Sequence, residues 1–181
     1  MKGMKYMVKE NFELEEAAMK SLLDRKVTLE EIAELVFDLQ KPYLNRLTME
    51  ECLESVKAVL RKREVQNAVL TGIELDILAE QKKLSSPLQE IIENDEGLFG
   101  VDEILALAIV NIYGSIGLTN FGYLDKLKPK VIHRLDAHKD DDEVNTFLDD
   151  IVGAIAAAAA SRIAHAHPIE SSKKPKVNDK I

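Results

Sequence analysis

Residues 148–160 read LDDIVGAIAAAAA, in which a pair of aspartates opens an apolar segment made almost entirely of small side chains. Gly153, Ala154 and the five alanines at 156–160 let neighbouring helices approach closely, as they do in ordinary helical bundles. A helix that is apolar on every side is normally buried in a core. The sequence therefore predicts a final helix at about 144–166 that lies inside a tightly packed bundle.

A second apolar stretch, ILALAIVNIYGSIGLTNFGYL at 104–124, contains no charged residue. Its length would allow it to span a bilayer. Two asparagines, a serine and three glycines interrupt it, however, and this favours a helix followed by a turn. We interpret it as a helix of a soluble protein that begins near Asp102, ends near Gly117 and is buried on all sides.

The remaining sequence also predicts helices, and no stretch shows the alternation typical of strands. Thr28 and Glu31 form one N-terminal capping box, and Thr48 and Glu51 form another. We therefore predict an all-α fold: a single-domain, multi-helix orthogonal bundle over residues 1–167, with buried apolar central helices. Residues 168–181 have little to bury and are expected to be a disordered tail.

Composition narrows the classes of function. The 181 residues carry a formal net charge of −8, which is unlike the basic surface of a general nucleic-acid binder. Cys52 is the sole cysteine, so neither an internal disulfide nor a cysteine-based zinc site can form. With no signal-peptide pattern, we expect a cytoplasmic protein.

Acidic residues precede both apolar segments. The pair Asp102-Glu103 opens the first and the pair Asp149-Asp150 opens the second. One interpretation is simple capping, because acids in a first turn favour the helix dipole. The alternative is that adjacent helix ends crowd these carboxylates together, which is costly unless a hard cation such as Mg²⁺ relieves the repulsion.

Three segments together resemble a known family. They are VDE at 101–103, FGYLDKLKPKVIHRLD at 121–136 and LDDIV at 148–152. In this order and spacing they are similar to motifs of the phosphatidylglycerophosphatase A family, Mg²⁺-dependent phosphatases that remove phosphate from phosphatidylglycerophosphate. The resemblance runs over residues 101–160.

The chain also departs from that family's pattern. The membrane members' Gly-Thr-x-Gly-Ser segment is missing, and Thr71-Gly72, its nearest counterpart, lies within a helical pattern. Gly122 and His133 stand where family members often carry arginine. The charged N-terminal half resembles a soluble relative of the kind found in Gram-positive bacteria, whose substrate need not be the membrane members' lipid.

The resemblance implies hydrolysis of a phosphomonoester with Mg²⁺ as cofactor. It assigns the metal to Asp102, Asp125 and Asp150. Either Glu103 or Asp149 stands in reserve as a ligand or serves as the catalytic carboxylate.

Lys128 would stabilise charge on the phosphate, and His133 is either a second phosphate contact or a surface residue. Asp136 completes the matched pattern. Glu64, Glu74 and Asp76 lie on a helix that could face the acids, so one of them is an alternative ligand.

Two other functions stay open at this point. An all-α nucleotide pyrophosphohydrolase also lines a helical bundle with acids for Mg²⁺, and a non-catalytic helical interaction protein could keep the fold without the activity. As partners we expect a phosphorylated small molecule or a lipid head group, and a homo-oligomer. A lipid substrate would add peripheral contact with a membrane.

Overall fold

A computed structural model describes residues 2–137 and 143–167, with side chains from residue 13 onward. The predicted tail at 168–181 lies outside the described residues. Within them the chain is all-α, as predicted, and no strand occurs. The helices are α1 (Lys2–Asp24), α2 (Leu29–Gln40), α3 (Met49–Leu60), α4 (Arg63–Glu80), α5 (Leu88–Glu93), α6 (Val101–Val110), α7 (Gly114–Leu127), α8 (Val131–Ala137) and α9 (Leu148–Ala166), with a 3₁₀ turn at Asn111–Tyr113.

Of the two predicted capping boxes, the one at α2 is complete, whereas the one at α3 has the bond to the threonine hydroxyl but not the reciprocal bond to the Glu51 carboxylate, which contacts His167 instead. The Thr28 hydroxyl accepts the Glu31 backbone N–H, and the Glu31 carboxylate accepts the Thr28 N–H, so the capping box of α2 is complete. At α3 the Thr48 hydroxyl accepts the Glu51 N–H at 3.2 Å. These bonds satisfy backbone donors that have no partner inside the helix.

Helix α9 is the centre of the bundle. Every residue from Leu148 to Ser161 is buried, and α2, α3, α4, α6, α7 and α8 all pack against it. Its small side chains permit backbone-level contact with neighbouring helices: the Ser55 hydroxyl donates to the Ala159 carbonyl at 2.9 Å. The prediction of a buried alanine-rich core helix is confirmed, although the helix begins at Leu148 rather than near 144.

The other apolar stretch is broken earlier than predicted. Helix α6 ends at Val110, a single 3₁₀ turn follows, and Gly114 adopts a φ of 72° where α7 begins. Gly117 lies inside α7, so the prediction that the helix ends there was wrong. A Cβ on Gly117 would lie 3.1 Å from Val110 Cγ1 and 3.3 Å from the Val110 carbonyl oxygen, which shows that this glycine permits close packing.

The expectation that this stretch is buried on all sides was also wrong. One side of α6 and α7 packs on α9, but Ile104 is 65% exposed and Tyr123 is 56% exposed on the other side. The reason is that no element among the described residues lies over that outer side. Val101–Leu127 is the one segment in the described ranges with the length and hydropathy of a membrane span, and 28% of its most apolar window is buried.

Gly72 brings α4 against the start of α9. A Cβ at this position would collide with Ile151 Cδ1 and would lie 3.0 Å from Phe147 Cβ. Gly72 is therefore a packing residue within a helix, and Thr71-Gly72 does not form a phosphate-binding loop. The close approach fixes where α9 begins relative to the rest of the bundle.

Candidate functional site

The predicted acidic residues meet at one cavity. Its volume is about 160 Å³, and it lies where the first turns of α6 and α9 meet the last turn of α7. Six residues named from the sequence line it: Asp102, Glu103, Asp125, Lys128, Asp149 and Asp150. Side chains from three separate segments are thus brought together by the helix ends that carry them.

Part of the lining was not anticipated from the sequence. The loop between α5 and α6 contributes Asp95, Glu96, Gly97 and Gly100, and Thr146 lies beside the start of α9. The acid-glycine run DEG at 95–97 was the available signal, because acids and glycines in a loop before a helix can approach a ligand closely. Gly100 precedes α6 with a φ of 64°, a conformation that favours glycine.

Charge in the cavity is strongly unbalanced. Seven lining residues are acidic, and Lys128 is the one basic residue among the described residues that line the cavity. A phosphate ester would be repelled by such a surface unless a further cation offset the acids. This imbalance is the main electrostatic property of the site.

Lys128 lies between the carboxylates of three helices. Its Nζ is 2.6 Å from Asp149 Oδ2 and 3.6 Å from both Asp125 Oδ1 and Asp136 Oδ1. Burial lowers the pKa of Lys128, but the attraction of Asp149 and the neighbouring aspartates outweighs this and raises it. The side chain is therefore a fixed positive charge at neutral pH.

Asp149 and Asp150 are both buried, with 6% of each residue exposed. Burial raises the pKa of Asp149 to about 6, even though the Lys128 ammonium lowers it. Burial and repulsion from Asp149 raise the pKa of Asp150 to about 8, with smaller contributions from Asp125 and Asp102. Carboxyl groups with such shifts are typical of functional sites, where like charges are held close together.

The donor set suits a hard divalent cation. Carboxylate oxygens are the ligands that Mg²⁺ prefers, and among the described residues Asp102 Oδ1 is buried without a hydrogen-bond partner. The described His, Cys, Asp and Glu side chains are nevertheless not gathered into a ready-made group of three ligands. Lys128 accounts for part of this separation, because its ammonium occupies the space between three of the aspartates.

Asp76, considered from the sequence as an alternative ligand, has a different position. It is fully buried in α4, and its carboxylate accepts the backbone N–H groups of Phe147 at 3.1 Å and Leu148 at 3.0 Å. It thus caps the first turn of α9 from a neighbouring helix. Burial raises the pKa of Asp76 well above its usual value, and the hydrogen bond from Phe147 opposes that rise.

The segment just before α9 is held by further polar contacts. The Arg25 guanidinium donates to the Val144 carbonyl at 2.7 Å and pairs with Glu80 at 2.6 Å. Glu80 accepts the Val144 N–H at 2.8 Å, and the Thr146 hydroxyl donates to the Ile92 carbonyl at 2.6 Å. Arg25, which directly follows α1, together with residues of α4 and α5, fixes the backbone that presents the aspartate pair.

The remaining candidates from the sequence lie elsewhere. His133 is exposed on α8 and does not line the cavity. Glu64 and Glu74 are exposed on α4, on a different side of that helix from the buried Asp76. The site is therefore built from α6, α7, α9 and the loop before α6. Asp136 of α8 does not line the cavity, but it pairs with Lys128, which does.

Comparison with known proteins places this cavity within a matched region. Residues 25–165 match the family model described as phosphatidylglycerophosphatase A. The protein YutG of Bacillus subtilis is 61% identical over 153 residues, which are 84% of this chain and 92% of YutG. Every residue named above as lining the cavity falls inside the matched range.

Two solved structures share the fold. A protein of unknown function from Bacillus stearothermophilus is 62% identical, has a TM-score of 0.82 and aligns over 84% of this chain and 94% of its own. The low temperature requirement C protein of Listeria monocytogenes is 60% identical with a TM-score of 0.82, over 84% of this chain and 96% of its own.

Proposed function

We propose, since this chain belongs to the phosphatidylglycerophosphatase A family, that its acidic cavity hydrolyses a phosphomonoester of the phosphatidylglycerophosphate type with the help of Mg²⁺. Membership of this family supports the proposed substrate class. The reaction gives inorganic phosphate and an alcohol.

One observation carries the proposal. Carboxylates from three segments of the chain, near 102, 125 and 150, converge on one cavity together with the cationic Lys128. A protein that served only as a scaffold would gain nothing from this arrangement, because buried and mutually repelling carboxylates lower the stability of the fold. Their convergence in one place supports a role in binding a cation and a phosphate.

Asp102, Asp125 and Asp150 would hold the magnesium ion. Asp102 offers a buried oxygen with no hydrogen-bond partner among the described residues, and Asp150, whose pKa burial and the neighbouring Asp149 raise, would be stabilised in its ionised form by a nearby positive charge. When bound, Mg²⁺ would offset the acids and polarise the phosphate oxygens.

Asp149 is suited to accept a proton from the attacking water. Its pKa of about 6 leaves it ionised at neutral pH, and this pKa is near enough to the working pH for the carboxylate to act as a general base. The water oxygen forms a bond to phosphorus, the bond from phosphorus to the alcohol oxygen breaks, and the alkoxide takes a proton from solvent while Asp149 releases to solvent the proton that it accepted. Glu103 is exposed at the mouth of the same cavity and is the alternative base.

Lys128 is suited to stabilise the charge that spreads over the phosphate oxygens as that bond breaks. Its ammonium already faces the cavity and its raised pKa keeps it protonated. Oxygen atoms of the substrate phosphate would accept some of the hydrogen bonds that Lys128 now donates to Asp149.

The test is a phosphate-release assay with purified full-length protein. Phosphatidylglycerophosphate in detergent micelles, soluble glycerophosphates and nucleoside triphosphates are compared with Mg²⁺ and with excess chelator. The proposal expects Mg²⁺-dependent release of orthophosphate from phosphatidylglycerophosphate, and loss of it in Asp150→Asn. Release of pyrophosphate from nucleotides would support a pyrophosphohydrolase instead, and no release from any substrate would favour a non-catalytic protein.

A further inference from the structure

The outer side of α6 and α7 is an extended surface with almost no charge. Of the 27 residues from Val101 to Leu127, 15 are exposed, and Glu103 and Lys126 are the charged residues among those 15. We call this surface the α6–α7 face. Its exposed apolar side chains include Ile104, Ile112, Ile116, Leu118, Tyr123 and Leu127.

We propose that the α6–α7 face binds a second copy of this chain in an isologous contact. A standard protein interface uses about 20 to 30 residues from each partner, so the 15 exposed residues of this segment would supply at least half of one side. Interface cores are poor in charge and rich in large apolar and aromatic side chains. The α6–α7 face has that composition, although 31% of the whole chain is charged.

Charge favours a second copy as the occupant. The chain has a formal net charge of −8, so two copies repel each other over most orientations. An uncharged face is where two such molecules meet with the least like-charge repulsion, and burial of its apolar side chains supplies the attraction. Gly122 leaves open space on this face where a Cβ would project, which gives room for a side chain of the partner.

A membrane fits the same face less well. Peripheral binding normally combines an apolar surface with a basic rim that attracts anionic lipids. Here the neighbouring cavity is lined by seven acids, and of the exposed charges of the face itself only Lys126 is basic. A spanning arrangement would also have to remove α6 and α7 from α9, on which both are packed.

The experiment measures the mass of the full-length protein by sedimentation equilibrium. The wild type is expected to be a dimer or a larger even-numbered assembly. Leu118→Glu and Ile116→Glu, each placing a charge at an exposed apolar position of the face, should lower the average mass at least twofold. Tyr43→Glu is the matched control, because Tyr43 is 75% exposed outside the face, and it should leave the mass unchanged.

A second measurement does not depend on disrupting the face. Cys52 is buried, so Thr119→Cys adds one accessible thiol on the face, and mild oxidation should give a covalent dimer. Glu50→Cys on the exposed surface of α3 should not. Circular dichroism confirms that each variant is folded.

Three outcomes would overturn the proposal. The first is a monomeric wild type, and the second is a mass that stays the same as wild type in both glutamate variants. The third is a monomeric wild type that sediments with phosphatidylglycerol–phosphatidylcholine vesicles, together with a Leu118→Glu variant that does not. The last outcome would assign the face to a membrane. Because mass and cross-linking are measured without substrate, failure here is separate from failure of the phosphatase proposal.

Discussion

The Nζ atom of Lys128 lies 2.6 Å from Asp149 Oδ2, and this ion pair joins the end of α7 to the buried first turn of α9. Lys128 reaches this position from a left-handed backbone conformation, with a φ of 44°, directly before Pro129. A bulky residue rarely adopts that conformation, and it is retained where the surrounding structure demands it. An uncommon backbone conformation therefore holds Lys128 against Asp149, and these are the two residues to which we assign phosphate stabilisation and proton transfer.

Replacing Lys128 tests its catalytic role. Lys128→Ala should reduce the rate of phosphate release by about 10²- to 10³-fold, the loss typical for removal of one group that stabilises transition-state charge. It should also destabilise the fold above pH 6, since Asp149 would then be a buried carboxylate without its cation. Steady-state kinetics and thermal unfolding at pH 5 and pH 8 separate the two effects.

Neighbouring lysines provide the controls. Lys126 is exposed, and Lys130 pairs with Asp38 and Glu34 on the surface. Surface ion pairs contribute at most about 1 kcal/mol, so Lys126→Ala and Lys130→Ala should change little. Lys139 would serve as well but lies outside the described residues. Equal losses of activity in Lys128→Ala and these variants would place the phosphate elsewhere.

The buried carboxyl groups predict an unusual dependence of stability on pH in metal-free protein. Asp150 has an ordinary pKa of 3.8 and a pKa of about 8 in the fold. Between these values the folded state binds more protons than the unfolded state, so the free energy of unfolding should fall as pH rises from about 4 to about 8. The total loss should be on the order of a few kcal/mol, because one pKa unit corresponds to about 1.4 kcal/mol. Urea unfolding in chelator at intervals of pH measures it.

Asp150→Asn is the matched variant for this dependence. Without an ionisable group at 150, the free energy of unfolding should fall less as pH rises, and the variant should be more stable than wild type at pH 8. Some decline should persist, since the pKa values of Asp149 and Asp76 are raised in the same direction. An identical pH profile in the two proteins would show that Asp150 is solvated in solution.

Magnesium should stabilise the folded protein, and more strongly at pH 8 than at pH 5, because it competes with protons for the same carboxylates. A ligand present at ~100 times its dissociation constant stabilises the folded state by about 2.7 kcal/mol. Thermal unfolding with MgCl₂ and with NaCl at matched ionic strength measures the specific part. The Mg²⁺-specific rise in the unfolding temperature should vanish in Asp150→Ala and persist in Glu50→Ala, a change on the exposed surface of α3. A shift retained in Asp150→Ala would mean that the ion acts by screening alone.

Much of the fold could be predicted from the sequence because its signals are local. The Thr28–Glu31 capping box and the alanine run at 156–160 depend on neighbours in the chain, and both predicted what the structure shows. Likewise, the aspartates near 102, 125 and 150 precede or follow apolar segments in a recognisable order. Their convergence on one cavity could be expected because all three lie at helix ends, and helices that pack side by side bring such ends together.

Other features depended on contacts that no local pattern records. The exposure of Ile104 is a matter of which side of α6 lacks a neighbour, and an uncharged stretch carries no information about that. The capping of α9 by Asp76 joins residues 71 and 72 positions apart, so an acid that could have been a ligand was instead a structural acceptor. The position of Lys128 between three aspartates also required the tertiary structure.

Asp76 should be a positioning residue for the aspartate pair. Asp76→Ala leaves two buried backbone N–H groups, those of Phe147 and Leu148, without their acceptor. Each unsatisfied buried donor costs about 1–3 kcal/mol, so the loss of the acceptor for both donors should lower the free energy of unfolding by about 2–6 kcal/mol in urea titrations. Asp76→Asn keeps one carbonyl oxygen and should lose less. Glu74→Ala, an exposed change in the same helix, should stay within about 0.5 kcal/mol of wild type.

The same variants show whether this cap also matters for the site. If Asp76 holds the first turn of α9 in place, the folded fraction of Asp76→Asn should bind Mg²⁺ more weakly than wild type at a temperature where both are fully folded. Glu74→Ala should bind it normally. This comparison removes the loss of stability from the readout, because only folded protein is measured. Unchanged Mg²⁺ affinity in Asp76→Asn, together with a lowered unfolding midpoint, would show that Asp76 supports the bundle without setting the geometry of Asp149 and Asp150.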